Sequence, residues 1–116
     1  MDIVDAQVHM GPGRIEEMLA AMHATGISAI LIDEYWVATM RGDPQHHLAN
    51  GASRPVSPTA ELAAQLHPER FSYLQKVSRQ DPDVAAFIRL SRDAPGCRAL
   101  RISPGMSPAE GDQFAN

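Results

Sequence analysis

The 116-residue sequence predicts an α/β protein built from parallel (β/α) units. Three observations carry that expectation. Apolar strand-like runs alternate strictly with stretches of helical periodicity, glycine, proline and capping residues punctuate the joints, and polar side chains gather at the carboxyl ends of the strands. The composition, 44% hydrophobic and 21% charged, is a globular balance, and the length suits one core rather than two.

Residues 3–9 form the first strand, with Val4, Ala6 and Val8 on one parity and Asp5, Gln7 and His9 on the other. Alternate residues of a strand share a face, so Asp5, Gln7 and His9 are expected to look into a common interior, with Gln7 and His9 roughly 6–7 Å apart. After Gly11-Pro12-Gly13, residues 14–25 place Ile15, Met18, Leu19 and Met22 on one helical face, and Gly26 supplies the stop. Residues 27–35 read as a buried strand that runs into Asp33 and Glu34. From Trp36 to Val56 no periodicity is legible, which predicts an active-site loop or a disordered insert.

Ser57-Pro58 opens a second helix with a capping residue and a proline in the first turn, and Ala60, Leu62, Ala63 and Leu66 follow before His67-Pro68. Residues 71–77 form a third strand. Asp81-Pro82 repeats the cap-plus-proline device for a third helix whose buried stripe is Val84, Phe87 and Ile88, ending at Pro95-Gly96. Residues 97–102 form a fourth strand, and Ser107-Pro108-Ala109-Glu110 matches a capping box that starts a fourth helix.

Two architectures satisfy this order: an open doubly wound sheet, or part of a closed eight-stranded barrel. In both, ligands meet the carboxyl ends of the strands, where Gln7, His9, Asp33, Glu34 and Arg101 stand. Gly11-Pro12-Gly13 is not a phosphate-cradling glycine pattern, and Pro12 lacks the N–H such a loop needs, so no nucleotide cofactor is expected. A net charge of −4 gives no field for nucleic acid. No apolar run approaches the ~20 residues that cross a bilayer, and the start lacks a basic signal flank, so the expected location is cytoplasmic with no membrane partner.

Several residues carry two readings each. Asp33 and Glu34 act as acid and base if desolvated and held close, or else begin a solvated loop. Tyr35 and Trp36 line a substrate pocket or pin the loop. His46-His47 resembles a metal clip but reads as an exposed pair in a polar loop. Lys76, the one lysine of the chain, reads as a snorkelling side chain, and Cys97, the one cysteine, as a structural thiol. Arg101 anchors a substrate or pairs with a neighbouring element.

The stretch VDAQVHMG, residues 4–11, resembles the first-strand signature of the amidohydrolase-related branch of the amidohydrolase superfamily, typically Asp-Ala-His-x-His. EEMLAAMHATGISAILI, LAAQLHPERF and PGCRALRI are similar to later segments of that branch, so the likeness covers nearly the whole chain. The resemblance implies that residues 1–116 form the N-terminal half of a TIM (β/α)8 barrel. The implied activity is that of a metal-dependent hydrolase, of lactonase, amide or ester hydrolase, or decarboxylase type, acting on a small carbonyl or carboxylate substrate at the C-terminal rim.

It further implies that His9, matching the family's second histidine, is catalytic and a ligand of a divalent metal such as zinc. Gln7 stands where the first histidine would be, and a neutral amide is a poorer ligand than imidazole. The chain is also similar to lactonases that work without metal, so metal-assisted and metal-free chemistry both stand. Arg101 matches an arginine such members set against the substrate, so it is expected to be catalytic alongside His9 and, with Gln7 and Trp36, to bind the substrate. The alternative to a hydrolase is a non-catalytic half-barrel that associates with a second copy, or with a missing C-terminal half, through its open sheet edges.

Overall fold

The computed structural model describes residues 2–36 and 42–102, apart from the side chain of Gln7. Its elements in chain order are β1 (Val4–Met10), α1 (Ile15–Thr25), β2 (Ala29–Glu34), β3 (Gln45–His47), β4 (Ser53–Pro55), α2 (Pro58–Leu66), β5 (Phe71–Val77), α3 (Val84–Asp93) and β6 (Cys97–Ile102). β1, β2, β5 and β6 form one parallel sheet in that spatial order, and β3 pairs antiparallel with β4. The order never reverses, so these strands contain no switch point of the doubly wound kind. The sheet curls into a half-barrel.

The core lies on the helix side of the sheet. Met10, Ile30, Ile32, Phe71 and Tyr73 project from the strands onto Met22 of α1 and Ala60, Ala63 and Ala64 of α2. Each large side chain buried there contributes about 1.5–3 kcal/mol of transfer free energy. On β5 the alternation is complete: Phe71, Tyr73, Gln75 and Val77 are buried, while Ser72, Leu74 and Lys76 on the concave face are half-buried. No helix covers that second face among the described residues.

The helix punctuation works mostly as the sequence predicts. α1 ends at Gly26, whose left-handed φ of 74° lets its N–H close on the Met22 carbonyl. α2 starts at Pro58, yet the Ser57 side chain makes no capping hydrogen bond. A strand residue does the work instead: Oε1 of Glu34 accepts the Ala60 N–H at 2.7 Å.

α3 starts at Val84, later than the Asp81-Pro82 pair predicts. The Asp81 carboxylate takes two guanidinium donors of Arg54, at 2.6 and 2.7 Å, and the Asp83 N–H at 2.9 Å. Val84, Phe87 and Ile88 are half-buried rather than fully buried, since α3 packs against β6 at the sheet edge.

The segment expected to lack structure contains the β3–β4 hairpin. Leu48 and Ala52 close its turn, and the Asn50 side chain accepts the Ala52 N–H. Arg54 then fastens the hairpin to Asp81 and stacks over the Phe87 ring at 5.3 Å. The capping box at residues 107–110 lies outside the described residues. Among the described residues no helix is long and apolar enough to cross a membrane.

Gly96 is the tightest joint of the fold. Its φ is +83°, and a Cβ placed on it would come within 2.5 Å of the Ala64 Cβ. Gly96→Ala therefore combines backbone strain with a clash inside the α2–sheet contact, and we expect a loss of about 2–4 kcal/mol in urea unfolding. Gly26→Ala has comparable strain and open space, so its cost should stay near 1 kcal/mol. Equal costs for the two would show that packing at Ala64 is not the constraint.

Candidate functional site

Because the four long strands are parallel, their carboxyl ends share a rim, and one side chain from each converges there. The register sets His9 opposite Asp33 and Lys76 opposite Arg101. Asp33 is the centre, with its side chain 2% exposed. Arg101 Nη1 donates to Asp33 Oδ2, and His9 Nδ1 lies 3.7 Å from the same oxygen, just beyond hydrogen-bond range. Lys76 Nζ stands 3.5 Å from Oδ1, which makes no hydrogen bond among the described residues.

Two register shifts make this convergence. In β1, Asp5 pairs with Ile30 and Val8 with Ile32, so one extra β1 residue sits between the two pairs. Asp5 thus lies on the face of Ile30, toward the helices, while His9 lies on the face of Asp33. The expectation that Asp5 and His9 look into a common interior is therefore wrong: the bulge breaks the two-residue period the sequence argument relied on. Gln7 falls inside the shifted stretch, and its side chain is outside the described residues. In β6 the same device lies between Cys97, paired with Tyr73, and Ala99, paired with Leu74.

Lys76 is bound more tightly than a snorkelling side chain. Its side chain is 13% exposed, and its ammonium donates to the Glu34 carbonyl at 2.6 Å and to Asp43 Oδ2 at 3.2 Å. Asp43 also accepts the Trp36 N–H through Oδ1. Burial pushes the Asp43 carboxyl up, but the Trp36 N–H and the Lys76 ammonium, with Arg101 adding to them, outweigh it and hold it below 3.8. Asp33 and Glu34 do not begin a solvated loop, because both are buried. The Trp36 indole N–H donates to Glu34 Oε2 at 2.8 Å, and so pins the loop to the strand end.

Beside Lys76 and Arg101 an open cleft of about 440 Å³ runs to the hairpin, with Ser78 on one wall and Gln45, Ser53 and Pro55 on the other. Arg101 therefore touches both the cleft and the Asp33 cluster, whereas His9 and Trp36 are not among the cleft's walls. The His9 ring, half-exposed, leans on Tyr35 at 5.2 Å between centroids. His46 and His47 are exposed on β3. Burial raises the Cys97 thiol, the opposite direction from an activated nucleophile.

No three His, Cys, Asp or Glu side chains among the described residues come together as metal donors. The carboxylate nearest His9 is already flanked by a guanidinium and an ammonium, which would repel a divalent ion.

Strand ends were the signal for His9, Asp33 and Arg101. Lys76 stands at the same level on β5 and would have been found by the same rule. Asp43 had no signal, since its role depends on where the loop folds back.

Glu34 supplies a pH-dependent test of the loop and helix anchor. Burial, the largest influence, raises its carboxyl above the ordinary 4.5, against the Ala60 N–H, the Trp36 indole, the Thr59 N–H and Lys76, which lower it. A carboxyl that holds its proton more tightly when folded stabilises the fold fully below its unfolded pKa, and that contribution is lost as pH rises through the folded pKa. Urea midpoints measured from pH 4 upward should therefore show wild type losing ground to Glu34→Gln as pH rises. Parallel profiles would remove Glu34 from that role.

Neither a protein-family model, nor a curated protein, nor a solved structure matches this chain.

Proposed function

We propose that the chain is the N-terminal half of an amidohydrolase-related (β/α)8 barrel, and that it contributes to hydrolysis of a small carbonyl or carboxylate substrate at the C-terminal rim. The observation that supports this reading most is the meeting of His9, Asp33, Lys76 and Arg101, one from each parallel strand, at the strand ends. Enzymes of parallel α/β architecture place their chemistry there.

The roles follow from the contacts. Asp33 faces Nδ1 of His9 and favours the tautomer that carries its proton there, which leaves Nε2 as the acceptor for a proton from water. Arg101 keeps further N–H donors beyond the one given to Asp33, and it borders the cleft, so it orients a carboxylate or carbonyl oxygen. Lys76 is a positioning residue: it braces the Asp33 carboxylate and the Asp43 loop against each other.

In a chain carrying all eight strands, His9→Ala should lower kcat/KM for small lactones, amides or carboxylated aromatics by about 100-fold or more. Arg101→Met should act chiefly on KM, by about tenfold. Turnover that survives His9→Ala undiminished would reject the assignment.

A further inference from the structure

We propose that residues 107–116, which lie outside the described residues, form a short helix that packs in the groove between α3 and the helix side of β6. The inference concerns how the chain covers its own sheet, and it does not depend on the hydrolase reading.

The helix side of β6 is uncovered among the described residues. The register sets Leu100 beside Gln75 and Ile102 beside Val77, so all four share the face on which the helices lie. Gln75 and Val77 are 7% and 5% exposed there, whereas Leu100 and Ile102 are 41% and 36% exposed. An open groove of about 430 Å³ runs beside them, with Cys97 and Leu100 of β6 on one wall and Ile88 of α3 on the other. Arg92 and Arg98 border it.

The order of the fold says what belongs in that groove. α2 packs on β2 and β5, the sheet strands before and after it, and α3 packs on β5 and β6. Right-handed crossovers keep every such helix on one side of a sheet that grows in one direction. A helix that leaves β6 therefore falls on the same side, next to α3 and over Leu100 and Ile102.

The segment after β6 suits the place. Ser107-Pro108-Ala109-Glu110 matches a capping box, and residues 103–106 have the length of an ordinary connection from strand to helix. In a helix begun at Pro108, Glu110 and Phe114 stand one turn apart on one face, and Phe114 supplies the large apolar side chain for the groove. The charged borders of the groove are both arginine, Arg92 being paired with Asp93, while residues 107–116 carry Glu110 and Asp112 and no Lys or Arg. A helix this short, with Gly111 inside it, does not hold alone in water, so its order comes from the groove.

Cys97, the one cysteine of the chain, stands in the groove wall and reports on its cover. In residues 1–116, alkylation of Cys97 by iodoacetamide should be about tenfold slower than in Phe114→Ser at the same pH, with both proteins folded by circular dichroism. Phe114→Leu should keep most of the protection, and in the wild type nuclear Overhauser contacts should join the Phe114 ring to methyl groups of Leu100 or Ile88. Equal labelling of wild type and Phe114→Ser, or a Phe114 ring without those contacts, would overturn the proposal. So would protection that appears only as protein concentration rises, because it would put a second copy on the groove.

Discussion

A carboxylate removed from water must be met by donors or counter-charges, and Asp33 is met from three other strands at once. Arg101 reaches it from β6, Lys76 from β5 and His9 from β1, so a single side chain ties the whole width of the sheet together. Removing one partner of a buried ion pair costs about 3–5 kcal/mol, whereas exposed pairs contribute about 0–1 kcal/mol. Arg101 is partly exposed and falls between these limits, while the Arg92–Asp93 pair on the surface of α3 belongs to the lower one. The strand ends are therefore held in register by charge on the concave face and by apolar packing on the convex one.

Asp33 and Glu34 are adjacent carboxylates and equally buried, yet they serve opposite faces because a strand alternates. Asp33 turns to the concave rim. Glu34 turns to the helices, where its two oxygens are divided between the Ala60 N–H of α2 and the Trp36 indole. The Lys76 ammonium connects the two faces, since it donates to the Glu34 carbonyl while facing Asp33 and Asp43. A disturbance of the loop at Trp36 or Asp43 is thus felt both at the α2 N-terminus and at the rim, without any long-range pathway.

The sequence was legible where a local period or a local turn decides the outcome. The boundaries of β5 and β6, the end of α1 at Gly26 and the start of α2 at Pro58 all follow from patterns within a few residues. The parallel alternation likewise follows from the order of the elements. What was illegible depends on contacts far along the chain. The β3–β4 hairpin has no apolar alternation to announce it, because Arg54 and Asp81, rather than a hydrophobic face, fasten it. The Ser57 cap was read correctly as a helix start and wrongly as the capping group, because the carboxylate that takes the N–H arrives from β2.

The register shifts show why the period itself misleads at the site. Asp5 and His9 share a parity, as do Cys97 and Arg101, and an unbroken strand would send both members of each pair to one face. In β1 that face would be the helix side, where Asp5 lies, and His9 would be buried among apolar side chains away from Asp33. In β6 it would again be the helix side, where Cys97 packs against the core, and Arg101 would never meet Lys76. One extra residue in each outer strand turns the reactive side chain inward while leaving the apolar half of the strand packed where it was. Among the described residues the same two strands are the sheet edges, each paired on one side. The central strands β2 and β5 are paired on both sides and form the frame against which the edges are re-aimed.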